Sequence, residues 1–177
     1  MLLGDYMEKT KSAVFDAGPF IHLTEIKQLN LTSQYPSILT TIEILEECQN
    51  IRNEIEKIHS ISIKPLLAAS KDFAKYLIDQ YDLHLGESTG IALCKQEHIP
   101  LFYTDDLDAR EVAHALGFSP HGTLALLLRA YRKKILTRIQ VEKAVYQLYT
   151  TSSLFLTKDL YQWTLQEIER YNSNNKS

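Results

Sequence analysis

The sequence predicts an α/β fold: a sandwich of helices around a central, mostly parallel sheet of about four to five strands, followed by a helical C-terminal part. Three observations predict it. Short apolar, β-leaning segments alternate with helical patterns along most of the chain. The length of 177 residues suits one domain, long enough to bury a sizeable core. A composition of 45% hydrophobic and 23% charged residues lies in the ordinary globular range and excludes wholesale disorder.

The elements follow in order. After a polar leader over residues 1–11, Ser12-Ala13-Val14-Phe15 reads as a strand that stops at Asp16-Ala17-Gly18-Pro19. Pro19 suits a first helical turn, and Phe20, Leu23 and Ile26 give that helix an apolar stripe. Ser37-Ile38-Leu39-Thr40 reads as a second strand, after which Thr41 caps a long helix over 43–58 with Ile44, Cys48, Ile51, Ile55 and Ile58 on one face. Residues 60–64 make a third strand stopped by Pro65, and helices follow over 68–81 and 86–97. Pro100-Leu101-Phe102-Tyr103-Thr104 is a buried strand ending in Asp105-Asp106, and a helix over 109–116 closes at Gly117. Three more helices are expected over 122–130, 142–149 and 158–171, with a polar, disordered tail over 172–177. One domain over 12–171 is expected, its helical extension beginning at 137.

Several function classes drop out. No apolar run approaches the roughly 18 residues of a membrane span, and the first residues are too short and too acidic for a secretory signal, so a cytoplasmic protein is expected. Cys48 and Cys94 form no CxxC and sit on helical apolar stripes, which reads as two buried, inert thiols. The histidines are scattered, against a zinc site. Neither a GxxxxGK[ST] loop nor a GxSxG elbow occurs, so an NTPase and a serine hydrolase find no support. A net charge of −3 argues against a protein coated in basic charge for long duplexes.

Ligand groups of a parallel α/β sheet gather at the carboxyl ends of its strands. Acids recur at those places: Asp16 after the first strand, Glu43, Glu46 and Glu47 after the second, Glu87 at the start of the helix before the fourth, and Asp105, Asp106 and Asp108 after it. Like charges on one rim raise one another's pKa unless a cation relieves them. Oxygen donors without His or Cys suit Mg²⁺ or Mn²⁺, which can activate water for attack on a phosphodiester.

These segments resemble the PIN domain family of metal-dependent ribonucleases, over most of the chain. Val14-Phe15-Asp16-Ala17-Gly18-Pro19-Phe20-Ile21 is similar to the family's opening strand and first acid. Thr40-Thr41-Ile42-Glu43-Ile44-Leu45-Glu46-Glu47-Cys48 resembles the second motif and nominates Glu47, with Glu43 one turn earlier as the alternative. Gly86-Glu87-Ser88-Thr89-Gly90 is similar to the third, and Tyr103-Thr104-Asp105-Asp106 to the fourth, nominating Glu87 and Asp106, with Asp108 as an optional further ligand. The run Pro120-His121-Gly122-Thr123-Leu124 resembles a branch with a GTLG-type segment. The resemblance implies a PIN-like α/β/α sandwich and Mg²⁺- or Mn²⁺-dependent hydrolysis of single-stranded or structured RNA, with Asp16, Glu47, Glu87 and Asp106 catalytic. It also opens a homodimer and a cognate inhibitor protein as partners. The third acid is Glu where many toxin-type members have Asp.

Plainer roles stand beside these. Asp16 could cap the first helix, Glu47 could belong to a solvated helix face, and Glu87 could meet the helix dipole. Asp105, Asp106 and Asp108 could form a turn and an N-cap. Thr104 could orient a water or a phosphate, and Arg110 could neutralise Asp106 or contact a phosphate. Arg129, Arg132, Lys133 and Lys134, with Arg138, form the dense basic cluster of the chain: either a phosphate-tracking patch or a solvated helix end. A non-catalytic module that binds RNA or a protein is the alternative function. A dehalogenase-like phosphatase would want a second Asp two residues after the first, where this chain has Gly18. Setting the four nominated acids apart leaves a nearly neutral body.

Overall fold

A computed structural model describes residues 11–174; the expected leader over 1–10 and the last residues, 175–177, lie outside the described residues. Backbone contacts divide the chain into two compact units, one comprising residues up to Ile21 together with Thr32–Gly122, the other His22–Leu31 with the chain from Thr123 onward. The second unit takes in the expected extension from 137 together with the helix that starts at Thr123, and the last helix runs to Asn174, into the segment expected to be a polar tail.

The first unit holds a five-stranded sheet in the order β3-β2-β1-β4-β5, every neighbouring pair parallel. The strands are β1 (Ser12–Phe15), β2 (Ser37–Thr40), β3 (Ile61–Ile63), β4 (Leu101–Tyr103) and β5 (Ser119–His121). Between them lie the start of α1 (Ala17–Glu25), α2 (Ile42–Glu47), α3 (Arg52–Ile55), α4 (Ala68–Tyr81), α5 (Leu85–Gln96) and α6 (Leu107–Ala115). A parallel sheet is buried on both faces, so its central strands read as apolar runs without polar alternation. Val14, Leu39 and Phe102 on one face meet Ile91, Ala92, Leu93 and Cys94 of α5. The alternate residues carry an aromatic cluster: Phe15 lies 4.8 Å from Tyr103 and 5.4 Å from Phe20, centroid to centroid, and the Tyr35 and Tyr103 hydroxyls hydrogen-bond at 2.7 Å.

Two departures from the sequence reading have local causes. The helix expected over 43–58 is broken: α2 ends at Glu47, a 3₁₀ turn spans Gln49–Ile51, and α3 follows. Ile44, Cys48 and Ile55 remain buried across the break, because one tight turn keeps the apolar stripe facing the same way. The fifth strand centres on Pro120, which argues against a strand in the sequence. As an edge strand β5 pairs with β4 alone, and the N–H that proline lacks is needed on neither side; the His121 carbonyl still receives the Thr104 N–H at 2.9 Å. A 3₁₀ helix over Leu29–Gln34 has no counterpart in the apolar pattern.

The second unit is built on α7 (Thr123–Arg132), α8 (Arg138–Thr150) and α9 (Lys158–Asn174). α8 starts earlier than its apolar pattern indicated because Thr137 and Gln140 form a capping box. Leu126, Leu127, Val141, Val145, Leu148 and Ile168 are buried here, Tyr149 stacks on Tyr161 at 4.5 Å, and the Tyr171 hydroxyl donates to the Arg132 carbonyl. No described helix is long and apolar enough to cross a membrane.

Gly90 lets α5 approach β4: an added Cβ would meet the buried Phe102 ring at 2.8 Å and the Ile44 methyl at 3.4 Å. Gly90→Ala should therefore overpack the core and cost about 1–3 kcal/mol. Urea unfolding would show it as a lower midpoint at constant slope.

Candidate active site

Asp16 follows the last residue of β1, and its N–H bonds to the Tyr103 carbonyl at 2.9 Å, so the sheet ladder itself positions it. Its side chain is buried, with 5% of its surface exposed. Oδ2 accepts a 2.7 Å hydrogen bond from the Thr104 hydroxyl at the end of β4; Oδ1 is buried and has no hydrogen-bond partner. Burial is the main force on its acidity and raises the carboxyl from 3.8 to about 7; the Thr104 hydroxyl and the Ala17 amide oppose this, while the charges of Glu47 and Glu87 reinforce it. Thr104 also accepts from the Asp106 N–H at 3.2 Å. Its hydroxyl is thus a brace between Asp16 and the β4–α6 turn.

Glu47 stands at the exposed end of α2, whose N-terminus is capped by Thr41. Its carboxylate lies over Gly86: a Cβ there would stand 2.2 Å from Oε1. A side chain at position 86 would collide with it, which makes Gly86 part of the site. The only signal in the sequence is a glycine directly before an acid. The alternative, Glu43, is half-buried in the first turn of α2.

Glu87 is held by a capping box at the start of α5. Oε2 accepts the His84 N–H at 2.9 Å and Oε1 lies 3.4 Å from His84 Nδ1. Burial pushes its carboxyl up, with the Asp106 charge adding and the His84 contacts opposing. Asp106 caps α6 by accepting the Ala109 N–H at 2.8 Å on Oδ1. The capping role considered for it from the sequence is therefore real, and it coexists with electrostatic contact to Glu87.

Repulsion links the four acids in a chain: Asp16 feels the charges of Glu47 and Glu87, and Glu87 feels that of Asp106. Asp108 is exposed in the first turn of α6. Arg110 donates to the backbone carbonyls of Asp105 and Asp106, at 3.2 and 3.3 Å, so it fastens the turn. Asp105 packs between two glycines: Cβ atoms added at Gly122 and Gly18 would stand 2.7 and 3.4 Å from its carboxylate oxygens. The basic cluster lies in the second unit. Arg132, Lys133 and Lys134 are exposed, but Arg129 is only 4% exposed and does not extend a solvent-facing patch.

The donor set fits a hard divalent cation in chemistry: carboxylate oxygens, one of them buried and unpartnered, with neighbouring charges raising Asp16 and Glu87. It is not a finished coordination shell, since among the described residues no three His, Cys, Asp or Glu side chains are grouped so as to hold an ion. Glu87 and Asp106 are engaged with helix N-termini instead. Thiol chemistry has no place here. Cys48, beside Asp16 and Glu47, is pushed up to about 12, mainly by burial, and Cys94 is buried and also raised.

Comparison with known proteins gives one match. The family profile DUF3368, described as a PIN domain, matches residues 12–170. No curated protein and no solved structure matches the chain.

The raised Asp16 carboxyl makes stability depend on pH. Between its ordinary 3.8 and about 7, native Asp16 keeps a proton that the unfolded chain has released, so stability falls as pH rises through that window. Glu87, raised in the same direction, adds to the slope. In EDTA, Asp16→Asn should melt several degrees above the wild type at pH 8, and the difference should shrink towards pH 4. Thermal melts across that range measure it.

Proposed function

The chain belongs to the PIN domain family, and on that premise we propose that it is a Mg²⁺- or Mn²⁺-dependent endoribonuclease acting on single-stranded or structured RNA in the cytoplasm. The observation that carries the proposal is Asp16: a buried carboxylate at the carboxyl end of the central strand, with one oxygen braced and the other unpartnered. A group so placed is costly as an anion unless it meets a cation.

Asp16 would hold the ion through Oδ1, with Glu47, Glu87 and Asp106 as the further oxygen donors and Asp108 as an outer one. A bound divalent cation would supply a water of lowered pKa and offset charge developing on the phosphate. The chain's own groups do the rest. Thr104 keeps Oδ2 turned into the protein and fixes the plane of the carboxylate. Glu47, at the exposed end of α2, has solvent access and a side chain long enough to shift. Glu87 and Asp106 are held at helix N-termini by hydrogen bonds from the His84 and Ala109 N–H groups. Arg110 holds the turn that carries Asp106. No side-chain nucleophile is needed, in keeping with the inert thiols.

A second reading has its own observation. Glu87 and Asp106 are engaged in capping, and no ready-made group of ligands exists among the described residues. A PIN domain that binds RNA or a partner protein without cutting would keep this arrangement. Mn²⁺ titration separates the two. The nuclease should gain thermal stability with Mn²⁺ and cleave single-stranded RNA; the binding module should do neither.

Asp16→Asn should abolish Mn²⁺-dependent cleavage while the protein stays folded. Thr104→Val should lower metal affinity by about 10–100-fold, the usual cost of losing a group that orients a ligand. Full activity of purified Asp16→Asn would overturn the assignment.

A further inference from the structure

Two buried threonine hydroxyls connect the helices that carry Glu47 and Glu87. Thr41, the N-cap of α2, and Thr89, in α5, are at most 3% exposed. Thr89 Oγ1 donates to the Gly86 carbonyl at 2.9 Å and lies 2.9 Å from Thr41 Oγ1. Each hydroxyl has one proton. That of Thr89 goes to Gly86, so Thr41 is the donor between the pair, and Thr41 accepts the Ile44 N–H at 3.3 Å. The direction of every bond is thereby set: Ile44 N–H to Thr41, Thr41 to Thr89, Thr89 to the Gly86 carbonyl.

The chain of bonds ends at the residue over which the Glu47 carboxylate lies. Glu47 rides on the helix that Thr41 caps, and it rests on the glycine whose carbonyl Thr89 holds. A threonine bonding back three residues within its own helix is ordinary. Here the same hydroxyl also receives Thr41 from a segment 48 positions away, and the residue it grips precedes Glu87. Contacts through a buried, fully directed pair of hydroxyls fix the two helix starts more narrowly than apolar packing does.

We propose that Thr41 and Thr89 are positioning residues that set the placement of Glu47 relative to Glu87, and through it the affinity for the divalent cation. The second half rests on the nuclease reading given above; the first half does not. Thr89→Val keeps the side-chain shape and removes the hydroxyl, whereas Thr89→Ser keeps the hydroxyl. Crystal structures should show the Glu47 carboxylate over Gly86 in the wild type and in Thr89→Ser, and displaced in Thr89→Val. Calorimetry should show Mn²⁺ binding weakened by about 10–100-fold in Thr89→Val and restored in Thr89→Ser.

Gly86→Ala displaces Glu47 directly and leaves both hydroxyls alone, so it tests the link from Glu47 placement to the cation, and Thr41→Val tests the hydroxyl pair where Thr89→Val fails to fold. Gly86→Ala should weaken Mn²⁺ binding to a similar extent. Glu47 remaining in place in Thr89→Val overturns the positioning role, and unchanged Mn²⁺ affinity in Gly86→Ala overturns its link to the cation. A wild type that binds no Mn²⁺ and cleaves no RNA, with Glu47 still displaced in Thr89→Val, overturns the nuclease reading and leaves the positioning role standing.

Discussion

Everything at the candidate site depends on a carboxylate held out of water. Asp16 loses most of its hydration on folding and regains one strong hydrogen bond, from Thr104. Its backbone is fixed by the β1–β4 ladder, and beneath it the Phe15, Phe20, Tyr35 and Tyr103 cluster leaves the strand end no freedom to swing the side chain into solvent. The core that stabilises the sheet therefore also enforces the burial that strains the acid. A cation resolves that conflict, and so does a proton. This is why acidity, stability and the proposed chemistry are linked at one residue.

The remaining acids are tolerated by other means. Glu87 and Asp106 sit at helix N-termini, where backbone N–H groups stabilise negative charge, and Glu47 stays at the surface against Gly86. The charges lie at the carboxyl ends of strands and at helix starts without being converged on one point. Among these acids Asp16 bears the largest desolvation cost, and burial raises Glu87 in the same direction. The helix starts then become the parts whose small movements matter most, and the Thr41–Thr89 bond lies between two of them.

Much of this was legible beforehand. β1, β2 and α4 occupy the residues expected, because short apolar runs, caps and prolines act locally. Cys48 and Cys94 are buried and inert, as helical stripes of small apolar residues imply. The errors are equally physical. Burial periodicity is insensitive to a single tight turn, so the break after Glu47 was invisible. The strand around Pro120 carries no sequence signal, because the sequence does not say which strand lies at the edge. Arg129 shares a basic run with exposed neighbours, yet α7 buries it, because charge in a sequence does not report which helix face it lies on.

The sequence by itself determined the parallel α/β plan, the PIN family motifs and the set of acids at strand ends and helix starts, since these follow from local periodicity and residue chemistry. Tertiary structure alone decided which acid is buried, that Thr104 braces it across 88 positions of chain, that Gly86 receives Glu47, and that Thr41 reaches Thr89. Burial and directed hydrogen bonds depend on what segments distant in the chain bring to one place, and no window of sequence contains both sides of such a contact.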